Sequence, residues 1–285
     1  MNTHKLTSQV LPFIAIRSLA SGLLSLKTRT RLLPQNNPIR TIARIWQLSL
    51  FAFLFQVSLF NVNVQAQRRK PPSGGRLAVV VDERLAALRS TPQLTGQLLR
   101  RLGRGRLVAV RGVKRSPDGV VFFLVNVTAR THGWIQHEAV VSASRQGDEQ
   151  KLIGLIKGSA DFDRIARARI FLDWFSRSPF RAEVLLLLGD TAEATAVRLS
   201  LDASRRINEG EIRAGDAPVF SYFLNYSGLD RYNRQGVRFI FASSTKRFHY
   251  EGAAWREILR RYPRTSQAIE AQKRLVELAA AVPEQ

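Results

Sequence analysis

Short apolar runs separated by turn residues extend from Arg76 to about Ser144 and predict a β-rich region. Leu77–Val81 is apolar and β-branched, Leu107–Val110 follows a glycine-rich turn, and Val120–Val127 is the most hydrophobic run. Residues 116–119 read Ser-Pro-Asp-Gly, which is a hairpin signal because proline presets φ and glycine accepts a positive φ. Strands this short and this evenly spaced favour a small closed barrel.

From Lys151 onward, apolar positions recur at intervals of three and four, which predicts amphipathic helices. Pro179 and Pro263 divide these helices, and Gly189 leaves room for close packing. Residues 220–241 are expected to be helical, with an interruption at Gly228. The predicted helix faces comprise Phe162, Ile165, Ala168, Leu172 and Phe175; Leu185, Leu188, Ala192, Ala196 and Leu199; Trp255, Ile258, Leu259 and Tyr262; and Ala268, Leu275 and Leu278.

The β-rich region resembles the bacterial SH3-type domain, a small barrel found on exported and cell-envelope proteins. The resemblance implies a binding module without catalysis. The match covers about a quarter of the chain. It is carried by Leu88-Arg89-Ser90-Thr91-Pro92, by Leu98 to Leu102 leading into Gly105, by Leu107–Val110, and by Gly133-Trp134-Ile135 before Ala139-Val140-Val141.

The last two predicted helices resemble one tetratricopeptide-type repeat, through a W-x2-I-L-x2-Y-P pattern followed by Ala268 and Ala271. Residues 182–199, with Gly189 and Ala192, resemble the second helix of another such repeat. A plain helical bundle is the alternative, because no fixed period is present. The expected fold class is therefore α+β and multidomain, with a small all-β SH3-like barrel followed by an all-α repeat or bundle domain.

The N-terminal segment has the pattern of an export signal. Arg40 and Arg44 precede the uncharged apolar run Ile45–Phe60, and Val64 and Ala66 form a small-residue cleavage pattern. Cleavage after Ala66 predicts a periplasmic or cell-envelope protein, whereas a retained signal predicts an inner-membrane anchor. Residues 1–39 are interpreted as an over-long start or an extension of the signal. The predicted segments are the signal at 1–66, a Pro/Gly linker at 67–75, the barrel at 76–144 and the helical domain at 151–285.

The chain is strongly basic, with 44 Lys and Arg against 22 Asp and Glu, a formal net charge of +22. Such a surface suits anionic partners, namely acidic lipids, wall polymers or nucleic acid; a surface that only keeps the protein soluble is the alternative. The absence of cysteine excludes disulfides, thiol nucleophiles and cysteine-based metal sites. It also excludes the cysteine peptidase domains that often accompany the SH3-type family.

Two groups of residues are candidates for binding. The indole of Trp134 either closes the barrel core or borders a groove, and one of Phe122 and Phe123 is expected in the core with the other nearer the surface. A basic cluster is expected to hold an anion, or else to form a solvated edge that blocks strand pairing. This cluster comprises Arg100, Arg101, Arg104, Arg106, Arg111, Lys114 and Arg115.

No catalytic signature is present in the sequence. His132 and His137 flank Trp134 beside Glu138, but we expect no metal site there because three or four ligands are needed. His249 is expected to be a surface or capping histidine. We therefore expect an exported, non-enzymatic binding or scaffolding protein without a cofactor. Its expected partners are peptidoglycan or an envelope protein, with anionic lipid as a further candidate. The alternatives are an enzyme with a site in the helical domain, or a nucleic-acid-binding protein if export fails.

Overall fold

The computed structural model describes residues 74–282, apart from the side chain of Glu209. These residues lie within one compact unit, Gln67–Gln285. An antiparallel sheet comes first and a mainly helical region follows, which confirms the expected α+β composition. The seven strands of the sheet are β1 (Arg76–Val80), β2 (Ala87–Arg89), β3 (Leu98–Arg101), β4 (Leu107–Arg115), β5 (Val121–Asn126), β6 (His132–Gln136) and β7 (Val140–Val141).

The sheet is open, and the prediction of a closed barrel is wrong. The strand order is β3-β2-β6-β5-β4-β1-β7, so β3 and β7 are edges that do not pair with each other. The physical reason lies in these two strands. All four residues of β3 are exposed, and β7 is only two residues long. The predicted turn at Ser116–Gly119 is confirmed: Gly119 has φ of 84° and its N–H donates to the carbonyl of Ser116 at 3.0 Å.

Strand β1 is buried on both faces. Ala78 and Val80 pack inside the curled sheet with Leu88, Val125 and Ile135. The opposite face of the strand packs against the helices, with Val79, Val81 and Val141 joining the helical core. This double burial explains why residues 77–81 form a continuous apolar run instead of an alternating one.

The helical region begins directly after β7. Its helices within residues 148–282 bury most of the predicted apolar faces, including Ile165, Leu188 and Trp255. A Cβ on Gly189 would lie 2.4 Å from Trp255 Nε1, so the close packing expected at this glycine is confirmed. The helices are α1 (Asp148–Lys157), α2 (Asp161–Trp174), α3 (Arg181–Arg206), α4 (Glu209–Ala214), α5 (Val219–Leu224), α6 (Asp230–Asn233), α7 (Ala253–Arg261) and α8 (Ser266–Ala281).

The expectation of one interrupted helix over residues 220–241 is wrong. Helices α5 and α6 occupy part of this segment, but its end forms strand β8 (Phe239–Ala242), which pairs with β9 (Arg247–Tyr250). Phe239 and Phe241 lie on one face of β8 and are buried there. Phe241 stacks on Phe223 of α5, with ring centroids 4.3 Å apart. The hairpin therefore completes the helical core with aromatic rings.

A buried charge pair joins the sheet to the helices. Arg167 of α2 donates from Nε to the carbonyl of Val81 at 3.1 Å, and its Nη2 lies 3.6 Å from Asp82 Oδ2. Arg84 donates two hydrogen bonds to the Asp82 carboxylate, at 2.9 and 2.6 Å, and these bonds lower the pKa of Asp82. The pKa of Arg167 is lowered, mainly by burial and secondly by the positive charge of Arg104. The division into domains at 76–144 and 151–285 stays a prediction.

Candidate functional site

The predicted basic cluster does not converge on one site. Arg100 and Arg101 lie on β3, whereas Arg111 and Lys114 lie on β4, and strands β2, β6 and β5 separate these two in the sheet. All four side chains are exposed. The cluster is therefore divided between at least two separate surfaces, one at β3 and one at β4.

Other members of the basic cluster are engaged within the fold. Arg115 donates to the carbonyl of Gly119 at 2.9 Å, which ties it to the end of its own hairpin. Arg106 donates to the carbonyl of Val127 at 3.4 Å. These two guanidinium groups stabilise loops of the sheet, so they are poorer candidates for an external anion than Arg100 and Arg101.

Arg104 is a structural residue, and its prediction as an exposed anion-binding residue is wrong. Its side chain is only 9% exposed, and its guanidinium lies 2.9 Å from Asp163 Oδ1 and 3.7 Å from Glu83 Oε1. The cluster sequence contains no acidic residue, but Asp163 reaches it from helix α2. A partner so distant in sequence gives no local signal.

Trp134 lies outside the apolar core, so the expectation that it closes the core is wrong. Its neighbours in the chain, Gly133 and Ile135, are buried, whereas Trp134 itself is half-buried. A Cβ on Gly133 would lie 2.7 Å from the carbonyl oxygen of Arg89 and 2.9 Å from Leu88 Cγ, so this inward position requires glycine. Because side chains alternate along a strand, the indole points to the outer face of the sheet.

Trp134 is the centre of a row of side chains that crosses the sheet. It pairs with Arg89 of β2 on one side and with Leu124 of β5 on the other, and Arg89 in turn pairs with Leu98 of β3. Directly opposed residues of antiparallel strands share a face. Arg89 Nη1 donates to the carbonyl of Gly96 at 2.7 Å, which holds its guanidinium beside the turn before β3. We call these four residues, Leu98, Arg89, Trp134 and Leu124, the tryptophan row.

The two phenylalanines of β5 divide as expected. Phe122 is fully buried and Phe123 is partly exposed. The Phe123 ring lies 5.9 Å from the His137 ring in an edge-on arrangement, and the Arg145 guanidinium lies 5.0 Å from its centroid. Phe123 thus packs against the core of the sheet on one side and lies close to His137 and Arg145 on the other. We call His137 and Arg145 the basic corner. That corner is not part of the tryptophan row, because Phe123 and Leu124 face opposite sides of the sheet.

The histidines occupy separate places. His132 is exposed at the start of β6, while His137 Nδ1 lies 2.9 Å from Glu138 Oε1. No group of three or more residues able to hold a metal ion occurs in the part of the chain that the structure describes. His249 is partly buried: its side chain is 16% exposed, and its Nδ1 lies 2.9 Å from Glu193 Oε1, so the surface alternative does not hold.

Sequence reasoning missed two features of the sheet surface. Arg89 belonged to the SH3-like opening motif, but its role beside Trp134 becomes visible only through strand pairing. Leu98 and Leu99 were noted only as part of the hydrophobic run before Gly105, and they are 45% and 49% exposed on the edge strand. The alternation of Gly133, Trp134 and Ile135 was the available signal for the outward indole.

The predicted export signal and its cleavage residues Val64 and Ala66 lie outside the described residues. Among the helices within residues 74–282, none is long and apolar enough to cross a membrane.

In comparisons with known proteins, no protein-family model, curated protein or solved structure matches this chain. The resemblances to SH3-type domains and tetratricopeptide-type repeats therefore stay predictions.

Proposed function

We propose that this chain is an exported, non-enzymatic binding protein of the cell envelope, and that its tryptophan row binds peptidoglycan. The observation that carries the proposal is the half-buried Trp134 on the outer face of the sheet, between two buried chain neighbours. An indole held in this way offers a rigid apolar surface with a polar N–H at its edge. Such a surface suits the apolar face of a sugar ring.

The neighbours of Trp134 add apolar area and a positive charge to this surface. Leu124 and Leu98 add apolar area, and Arg89 adds a fixed guanidinium, because its bond to Gly96 restricts its position. Arginine pairs well with carboxylates, which occur on the peptide stems of the wall polymer. The row therefore combines the two kinds of contact that an anionic glycopeptide needs.

The helical region is proposed to contact a protein partner. Apolar side chains are exposed on α3, α5 and α8, among them Phe220 at 47% and Ile269 at 74%. We propose that these side chains contribute to the contact with that partner. SH3-like binding by the sheet and repeat-like binding by the helices would together make the chain a scaffold of the envelope.

Binding to wall sacculi tests the proposal directly. The full-length chain should co-sediment with purified sacculi, and Trp134→Ala should weaken this binding by about tenfold, or about 1.4 kcal/mol. The melting temperature of the variant should fall only slightly, because the ring is outside the core. Phe220→Ala is the matched control, since it removes another exposed aromatic ring without touching the sheet.

Two results would contradict this proposal. Wild-type chain that fails to sediment with sacculi would remove the polymer as the ligand. Equal losses for Trp134→Ala and Phe220→Ala would show that the tryptophan row is not the contact surface.

Separately, N-terminal sequencing of the exported protein tests the signal. The mature protein should begin at Gln67, and a full-length species in the cytosol would contradict export.

A further inference from the structure

Strand β3 is an edge strand whose residues are all exposed. It pairs with β2 along residues 98–101 and forms no second ladder in the described part of the chain. Leu98 and Leu99 expose 45% and 49% of their surfaces, and the nearby Leu94 exposes 44%. An edge with exposed leucines is a template for a further strand unless something prevents pairing.

The backbone of β3 retains hydrogen-bonding groups on its open side. Leu102, directly after β3, donates its N–H to the carbonyl of Ala86, next to β2, at 2.9 Å. Successive N–H groups of a strand point in opposite directions, so the N–H of Arg101 points away from β2. This donor and the neighbouring carbonyls are available for an added strand.

The charge around β3 selects among the possible partners. The segment from Arg89 to Pro117 contains eight Lys and Arg and no Asp or Glu. Arg100 and Arg101 are exposed and form no ion pair with a described residue. Two copies of this edge would bring four arginines together, which is unfavourable. An acidic strand would bring opposite charges together and would also cover the leucines.

We propose that β3 accepts an extended acidic segment of a partner protein as an eighth strand of the sheet. Main-chain hydrogen bonds to β3 provide the affinity, as in other cases of strand addition. The apolar side chains of the segment pack on Leu98 and Leu99, and its carboxylates pair with Arg100 and Arg101. This proposal is separate from the peptidoglycan proposal, because its affinity comes from the backbone of β3 and from Arg100 and Arg101; Leu98 is the one residue that the two proposals share.

A synthetic peptide of eight residues with the sequence Val-Val-Glu-Glu-Val-Val-Glu-Glu is the probe, because side chains alternate along a strand and each face of the peptide then carries both valine and glutamate. Fluorescence anisotropy should show that it binds the full-length chain. The double variant Arg100→Gln with Arg101→Gln should weaken binding by about tenfold, since each exposed ion pair contributes up to about 1 kcal/mol. Arg111→Gln is the matched control: this residue is an exposed arginine on the internal strand β4, and its loss should change binding less than about twofold.

A second peptide separates strand addition from simple charge attraction. It has the same sequence, but its alternate backbone nitrogens are methylated along the edge that would face β3, so it keeps every charge and loses those donors. We expect its affinity to fall by at least about tenfold, because the main-chain bonds are lost. The same peptide with lysine in place of each glutamate should not bind.

The outcomes are distinct. Equal binding of the methylated and unmethylated peptides, or an equal effect of Arg111→Gln and the double variant, would overturn the proposal. Absence of binding by the acidic peptide would also overturn it, as would a dimer formed through β3 in light scattering. Trp134→Ala should leave peptide binding within about twofold, so failure of the peptidoglycan proposal would not be confused with failure of this one.

Discussion

The two edges of the sheet, β3 and β7, differ in what the next part of the chain supplies. After β7, the N–H of Ser142 donates to Asp148 Oδ2 at 2.7 Å, at the start of α1. Arg145 donates to the carbonyl of Val140 at 3.0 Å and to Asp148 Oδ1 at 2.7 Å. Side chains of the following turn and helix thus replace the missing strand, and both residues of β7 are buried.

Within residues 74–282, strand β3 has no such cover, because the chain turns at Gly103–Gly105 and returns to the sheet as β4. At the covered edge, burial and the nearby Arg145 charge lower the pKa of Lys151, whose Nζ lies 3.4 Å from the Val140 carbonyl. At the open edge, Arg100 and Arg101 remain in solvent. Cations at an edge of this sheet therefore contact the fold where a helix follows and stay exposed where a turn follows.

The largest expected effect on the free energy of unfolding is at the covered edge, β7. Asp148→Ala should lower the free energy of unfolding by about 3 kcal/mol, because it leaves the Ser142 N–H and the Arg145 guanidinium without their buried partner. Urea denaturation measures this loss. Asp173→Ala, which removes an exposed carboxylate from α2, should change stability by less than about 0.5 kcal/mol. Equal losses for the two variants would mean that the α1 cover does not stabilise the edge.

A smaller effect is expected at Asp82, just beyond the strand that pairs with β7. Asp82→Asn should cost about 2 kcal/mol at pH 7, because the buried Arg167 loses its nearby carboxylate. Arg84 lowers the pKa of Asp82 in the folded chain below its unfolded value of about 3.9. The stabilisation is therefore complete above that value and is lost as the pH falls through the folded pKa.

Thermal melts at pH 7 and at acid pH measure this dependence. The wild-type chain should converge on Asp82→Asn as the solution is acidified. Asp173→Asn, at an exposed carboxylate of α2, should change the free energy of unfolding by less than about 0.5 kcal/mol. A difference between wild type and Asp82→Asn that stays constant with pH would contradict the role of the charge.

The smallest effect is expected at the open edge. Leu98→Ala should change the free energy of unfolding by no more than about 0.5 kcal/mol, because the side chain is 45% exposed and packs against only one neighbouring strand. Urea denaturation is again the measurement. A loss above about 1 kcal/mol would show that this edge is covered in solution, and the contrast with β7 would then fail.

The sequence predicted the elements better than their arrangement. The strands and most helices follow from local patterns, such as residues 77–81 and the heptad-like spacing through Ile165 and Leu172. The hairpin of β8 and β9 was missed because Phe220, Phe223, Phe239 and Phe241 fit both a helical and an alternating pattern. Tertiary contact with α5 decided between them, and no local rule contains that contact.

The candidate site was less predictable than the fold. Trp134 was a candidate from the sequence, but the face it occupies depends on which side of β6 the core lies, and only Gly133 and Ile135 carried that information. Arg104 was misassigned because its partner Asp163 is 59 positions away. The sequence also does not show which strands form open edges. Strands β3 and β7 both contain apolar residues, and they differ in the elements that follow them.

The burial of β1 between the sheet interior and the helices has a consequence for the order of folding. The strand pairs with β7, and the Val81 carbonyl receives its bond from Arg167, 86 positions later. Closing such long loops is entropically costly and slows folding. The first strand of the described residues to be synthesised is therefore among the last to be completed, because its contacts are complete only after α2 has emerged.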